Sequence, residues 1–280
     1  MGLVSIVTPV YNGDQWLAET LASVKAQTFT DWEHLLVDDG STDLSVNVIE
    51  AAAAHDTRIT LLRTASNSGP SAARNLALDA ARGRFIAFLD ADDLWLPNKL
   101  ERAVEWMTAH GYGFIYHDYR FISHDGTRVG PLIEAPELMD LRNLLTRRGF
   151  GCLSVLLDRK LITNFRFPAD CPYLHEDFCA WLSIVQQGHI GHHLAADLGR
   201  YRLSLQGRSR RKLYAAYETW RIYRDLSGLP LGRALNWWLQ YAWHGFWLHR
   251  YARPRQANFA PSLSTAPGMS LNRFRNRFSA

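Results

Sequence analysis

Four short apolar runs recur in the first ninety residues, and each is followed by a polar turn. Residues 3–8 (LVSIVT) run into Pro9-Val10-Tyr11-Asn12-Gly13, after which Leu17, Leu21 and Val24 recur at helical spacing, so a strand followed by a helix is predicted. Residues 33–37 predict a second strand ending in Asp38-Asp39-Gly40-Ser41-Thr42-Asp43, where Ser41 or Thr42 can cap a helix that runs to about His55. Residues 58–63 predict a third strand, Asn67-Ser68-Gly69-Pro70 a turn, and residues 71–81 an Ala-rich helix. The fourth run, residues 84–89 after Gly83, is almost unbroken and reads as a central strand buried on both faces. It ends abruptly in Asp90-Ala91-Asp92-Asp93, and Pro97 with residues 99–110 begins a new helix.

Strands alternating with helices imply right-handed crossovers and an α/β fold with a mostly parallel sheet. Every crossover then delivers its strand's carboxyl end to the same edge, so residues 8–12, 38–43, 67–70 and 90–93 should converge. That edge is where open α/β sheets bind ligands. Three carboxylates crowded there repel one another and imply a compensating cation, and a hard divalent ion commonly shares carboxylate oxygen with nucleotide phosphates. An isolated acidic turn before Pro97 also fits a helix cap. The converging groups favour a ligand: two Asp clusters, the ring of Tyr11, and Arg74 one turn into a helix whose amino end attracts anions. They suit a nucleoside diphosphate. Neither GxGxxG nor GxxxxGK[ST] occurs in this half, which argues against a dinucleotide fold and a P-loop.

Composition adds an asymmetry. The net charge of +4 hides an acidic body and a basic tail: residues 201–280 hold fourteen of the 31 Lys/Arg but two of the 27 Asp/Glu, Glu218 and Asp225. Cys152, Cys171 and Cys179 show no metal-ligand spacing and suggest reduced thiols in a cytosolic compartment. The amino terminus lacks a basic secretory n-region, and no stretch reaches the ~20 apolar residues of a spanning helix.

Beyond Gly113 the pattern changes. Residues 114–121 predict a strand containing His117 and Asp118, read as strand residues at a cleft edge, and Ser123-His124-Asp125-Gly126 is a turn leading towards 129–132. Residues 138–147 predict a short helix and 152–157 a strand. Glu176 and Asp177 open a helix whose apolar face is Phe178, Trp181, Leu182 and Val185, with Gly188 ending it. On spacing alone, that acidic pair serves equally as a cap or as a site. Residues 198–203 predict one more strand. Residues 213–226 and 231–251 predict two helices, the second carrying Trp237, Trp238, Tyr241, Trp243, Phe246 and Trp247 and closed by Arg250, Arg253 and Arg255. Aromatic bulk beside arginine suits a helix lying in an anionic membrane interface, and the alternative is packing against the body. Residues 261–270 read as a linker, and Arg273, Arg275 and Arg277 as a basic, mobile end.

The ordered motifs VSIVTPVYNG, LLVDDGSTD, NSGPSAARN and FLDADDLWLP resemble the nucleotide-sugar half of the GT-A inverting glycosyltransferases of family 2, bacterial enzymes that build surface polysaccharides. The resemblance covers residues 3–205 and implies a Rossmann-like nucleotide-diphospho-sugar transferase fold. Residues 1–112 would form the nucleotide-sugar half and 113–205 the acceptor half, followed by a helical extension (206–258) and a basic tail (259–280). It implies that Pro9, Val10, Tyr11, Asn12 and Gly69 line the donor site, with Asp39 on the uracil edge and Arg74 close by. Asp90 would face the ribose and Asp92 would hold Mn²⁺ or Mg²⁺, with Ala91 allowing close approach. Glu176-Asp177 matches the family's acidic pair, which makes Asp177 the general base and Glu176 its hydrogen-bonding support. A stretch near 204–211 reaches the diphosphate in that family, often with a His; here Ser204 and Leu205 stand instead, and Arg202, Arg208 and Arg210 are the candidates for phosphate contact. The expected partners are a UDP-sugar carrying a hexose or N-acetylhexosamine, a glycan or glycolipid acceptor such as a lipid-linked repeat unit or lipopolysaccharide, and the inner face of the cytoplasmic membrane. A reading of another class is a non-catalytic scaffold whose basic tail engages nucleic acid, although no RNA-binding motif is present.

Overall fold

The computed structural model describes residues 2–147, 150–168, 176–203, 212–225, 228–252 and 260–261. The alternation predicted for the first half is realised: β1 (Val4–Val10), α1 (Asp14–Lys25), β2 (Trp32–Asp38), α2 (Ser45–His55), β3 (Ile59–Arg63), α3 (Pro70–Ala80) and β4 (Phe85–Phe88). These strands lie in the order β3-β2-β1-β4, all parallel. Each strand sends neighbouring side chains to opposite layers. Ile6, Leu36 and Ala87 pack with Leu17, Leu21 and Ile49 on one face, while Val7, Leu35 and Phe88 pack with Ala73, Ala77 and Trp181 on the other. Burial on both faces is why these strands read as continuous apolar runs. The connection from β1 goes to β2 on one side while β4 lies on the other, so the order reverses between β1 and β4. A crevice opens outside their carboxyl ends.

The remainder is β5 (Leu94–Trp95), α4 (Lys99–His110), β6 (Phe114–Ile122), β7 (Arg128–Ile133), β8 (Leu138–Met139), α5 (Leu141–Thr146), β9 (Leu156–Asp158), α6 (Glu176–Gln186), β10 (Gly191–Arg202), α7 (Lys212–Asp225), α8 (Leu231–Ala252) and β11 (Ala260–Pro261). The sheet is not mostly parallel here. β9 runs antiparallel between β4 and β6, β7 is antiparallel to β6, and only β10 pairs with β6 in parallel.

Several local expectations are corrected. β5 follows the acidic turn where no strand is predicted, and forms because buried Trp95 pairs with Gly199 and donates its indole N–H to the Leu153 carbonyl at 2.8 Å. Residues 138–147 divide into β8, which pairs with the start of β10, and α5, whose first turn is capped by Asp140 accepting from the Asn143 amide at 2.7 Å. Residues 152–154 form a 3₁₀ turn before β9. Ser41 and Thr42 do not cap α2, which starts after Leu44 with no side-chain cap.

The tail helices fall where predicted, and part of their aromatic surface turns inward. Ala234 and Tyr241 are buried, and Trp220, Trp237 and Trp238 pack against the core, so Trp237, Trp238 and Tyr241 do not form a membrane face. The side chains of Phe246 and Trp247, and residues 262–280, lie outside the described residues.

Candidate active site

The edge beyond β1 and β2 is held by side-chain bonds to backbone. Asn12 sits at φ 49°, in the left-handed region that Asn tolerates better than most residues. Its carbonyl oxygen accepts from the Thr42 amide at 2.8 Å, and its own amide donates to Ser41 Oγ at 3.0 Å. The Gly13 amide donates to Ser45 Oγ, while Asp43 accepts from the amides of Asp14 and Ser45. Asp43 is therefore a turn holder, and Asp38 accepts from the Ser41 amide at 3.3 Å. On this fixed loop the Tyr11 ring is 54% exposed, a flat apolar surface at the mouth of the crevice. The Val10 side chain is wholly buried, and its carbonyl accepts from the Asp39 amide at 2.8 Å, so this position offers backbone to the edge.

Asp39 is buried and already accepts three hydrogen bonds, from Thr64 Oγ1 at 2.8 Å, the Ser68 amide at 2.9 Å and the Gly69 amide at 2.8 Å. A carboxylate has about four acceptor positions, so one remains for a ligand. Gly69, at φ 85°, turns the chain into α3 in a conformation that a side chain would strain.

Arg74, on α3, is 4% exposed and joins two carboxylates distant in sequence. Its Nη2 donates to Asp90 Oδ1 at 2.7 Å, and its Nη1 lies 3.4 Å from Glu176 Oε1. Glu176 and Asp177 are held beside the acidic turn by the helix they open. Trp181, one to two turns on, is stacked on Phe165 (ring centroids 5.8 Å apart) and meets Phe88 at the end of β4 edge-on at 5.6 Å. Asn75 locks the same region, exchanging two hydrogen bonds with the Phe167 backbone. The structure thus unites Asp90, Arg74 and Glu176, with Asp177 next in the chain.

Arg202 differs from its expected role. It is 2% exposed, and its donors are turned inward: Nε to the Asp92 carbonyl, Nη1 to the His124 carbonyl and Nη2 to Glu19 at 2.8 Å. Its amide donates to Asp93 Oδ1. Arg202 therefore braces the acidic turn from behind instead of reaching a diphosphate. Arg208, Arg210, Ser204 and Leu205 lie outside the described residues. Sequence reasoning missed Arg202 as a brace, because its partners Glu19 and His124 are far away in the chain. His117 and Asp118 are buried within β6 and do not stand at a cleft edge; Asp118 accepts from or shares a proton with His193 Nε2 at 2.7 Å.

Burial, and then the neighbouring charge of Asp90, push the Asp92 carboxyl up to about 6. Asp93 is raised well above the carboxylate range by burial and by both neighbours. Arg74 meets Asp90 and Arg202 meets the backbone of Asp92, so the Asp92 carboxylate carries repulsion that neither arginine relieves by direct contact. That chemistry fits a hard cation held by Asp92 and Asp90. Among the described residues no three His, Cys, Asp or Glu side chains form a metal-ligating group, so most of its ligands would come from a bound diphosphate and water.

An open α/β sheet that gathers carboxylates at its switch point suits a phosphate-bearing ligand with a cation, and comparison with known proteins gives the class. The profile of glycosyl transferase family 2 matches residues 5–164, and the chain belongs to that family. It is 35% identical over 240 residues to TuaG of Bacillus subtilis, named for teichuronic acid biosynthesis, covering 86% of this chain and 94% of TuaG. It is 38% identical over 237 residues to WfgD of Escherichia coli, a UDP-Glc:alpha-D-GlcNAc-diphosphoundecaprenol beta-1,3-glucosyltransferase, covering 82% and 89%. Two solved structures share the GT-A fold. They are S. aureus TarS 1-349 with UDP-GlcNAc (TM-score 0.63, 18% identity, 89% of this chain and 73% of that fragment) and the mannosyltransferase PcManGT of Pyrobaculum calidifontis with GDP-Man and Mn²⁺ (TM-score 0.64, 16% identity, 88% and 74%). The protein is a glycosyltransferase of GT-A fold.

Proposed function

We propose that the chain transfers a hexose or N-acetylhexosamine from a UDP-sugar to a lipid-linked glycan acceptor in surface-polysaccharide assembly, inverting the anomeric centre. The observation that carries this reading is the Arg74 bridge, which holds Asp90 of the acidic turn and Glu176 of the acidic pair within one guanidinium's reach. The named activity of WfgD supports a UDP-sugar and an undecaprenol-linked acceptor.

In this reading Tyr11 stacks on the base and the remaining acceptor position of Asp39 takes the uracil N–H. Pro9, Val10, Asn12 and Gly69 shape the backbone around the nucleoside. Asp90 faces the ribose, and Ala91 leaves room for the sugar. Asp92 and Asp90 would hold Mn²⁺ or Mg²⁺, which when bound would neutralise charge on the departing diphosphate. Asp177 accepts the proton of the acceptor hydroxyl as that oxygen bonds to the anomeric carbon. The bond from that carbon to the β-phosphate oxygen breaks in the same step, and UDP leaves with the electron pair. Glu176, fixed by Arg74, orients the pair. Arg208 and Arg210 remain the candidates for phosphate contact.

The test is the thermal midpoint of the purified protein with UDP, Mn²⁺, both or neither, beside Asp92→Asn. A ligand that binds only the folded state raises the midpoint by mass action. UDP should stabilise strongly only with Mn²⁺, and Asp92→Asn should abolish that synergy. Stabilisation by RNA, with none by UDP and Mn²⁺, would sink the reading.

A further inference from the structure

Helix α8 has two apolar faces, and one of them packs on the described body. Ala234 (0% exposed) and Tyr241 (7%) mark the inner face, with Trp237 and Trp238 beside them. On the outer face Leu231, Leu235, Leu239 and Trp243 are 60%, 47%, 54% and 63% exposed. At 3.6 residues per turn these four, with exposed Ala242, fall in a sector of about 120° in which no residue between 231 and 243 is charged. Arg233 is exposed to one side of it. A run of exposed leucines on a helix already anchored by its opposite face marks an interaction surface.

We infer that this sector lies on an anionic membrane surface and sets the height of the active site above it. Charge selects that occupant: after Asp225 the chain holds seven arginines and no Asp or Glu. An acid-free, arginine-rich segment carrying exposed leucines and a tryptophan has the chemistry of an interfacial helix drawn to anionic headgroups. Among the described residues no helix is long and apolar enough to cross a bilayer, so α8 lies in the plane. The inner face passes the position on, because Tyr241 meets Phe178, the residue after Asp177, with ring centroids 6.3 Å apart. Lipid binding itself does not rest on the transferase reading; the placement of Asp177 near a lipid-borne acceptor does.

The test is co-sedimentation of the full chain with vesicles of phosphatidylglycerol mixed into phosphatidylcholine, against vesicles of phosphatidylcholine alone. The chain should sediment with the anionic vesicles. The double variant Leu235→Glu, Leu239→Glu should lower the bound fraction at least about tenfold, since each leucine loses the free energy of leaving water. Both side chains are exposed, so an unchanged thermal midpoint checks that the variant folds, and Arg233→Glu should weaken binding less. Three results would overturn the inference: no binding of the wild-type chain to anionic vesicles, undiminished binding of the folded double variant, or a dimer that the same two substitutions dissociate without any affinity for lipid. Because the readout is partitioning, its failure is distinct from failure of sugar transfer.

Discussion

Two polar regions of this molecule, a short distance apart, are built on opposite terms. At the sheet edge the loop residues Asn12, Asp14, Asp39, Ser41, Asp43 and Ser45 give their side chains to neighbouring backbone, and the turns are fixed before any ligand arrives. Along the seam where β5, β6, β10 and α4 meet, charged and polar atoms are buried without a hydrogen-bond partner among the described residues: Lys99 Nζ, His117 Nε2, Arg200 Nε and Asp93 Oδ2. Matched polar groups at the edge confer rigidity at little cost. Unmatched ones at the seam cost stability, because desolvation of each is not offset by a bond. The contrast teaches that precision at the sheet edge is local, while the seam carries the strain of bringing β6 and β10 against β5 and α4.

The largest effect expected tests whether chemistry and donor binding are separable. If the edge holds the donor and α6 supplies the base, Asp177→Asn should lower the transfer rate by about 10²–10⁴-fold while the Mn²⁺-dependent midpoint shift with UDP is retained. Single-turnover transfer and thermal unfolding on one preparation decide it. Loss of both together would mean that the acidic pair belongs to the donor site, and the division fails.

The seam predicts a gain. Burial lowers Lys99 from its ordinary 10.5 to about 7, and among the described residues its ammonium meets no hydrogen-bond acceptor but lies over the Trp95 ring, 3.9 Å from the ring centre. The unfolded chain holds that proton up to about pH 10.5 and the folded chain only to about 7. Stability contributed by this position therefore rises with pH between those values, and the penalty is full below pH 7. Lys99→Met should stabilise the protein at neutral pH by about 3 kcal/mol in urea unfolding, and the advantage should shrink as pH approaches 10.5. A destabilised Met variant would show that the seam is matched in some other way.

Legibility in the sequence divides along the same line. The parallel strands could be read because both of their faces are buried, and Asp90, Asp92 and Tyr11 because crossover topology sends every strand end to one edge. A strand near residues 152–157 is legible, but the antiparallel insertion of β9 between β4 and β6 is not, since a run of apolar residues does not name its pairing partners. Arg202 is misread for another reason: an arginine at the end of a strand looks the same whether it faces phosphate or is buried against Glu19, and only tertiary contact distinguishes the two. The tail's aromatics were correctly placed on helices. Which side faced the body depended on α5 and α7, contacts that helical spacing does not encode.

The smallest effect sharpens what holds the edge. Asn12 does two things at once, tolerating φ 49° and accepting from the Thr42 amide. Asn12→Ala loses both and should cost about 1–2 kcal/mol, with weaker UDP binding as the Tyr11 ring loses its fixed base. Asn12→Gly keeps the backbone conformation and loses only the bond, so it should cost less than the alanine variant. Equal losses in the two variants would assign the rigidity of this loop to the hydrogen bond alone. A glycine variant as stable as wild type, with UDP binding still impaired, would mean that the bond serves the ligand more than the fold.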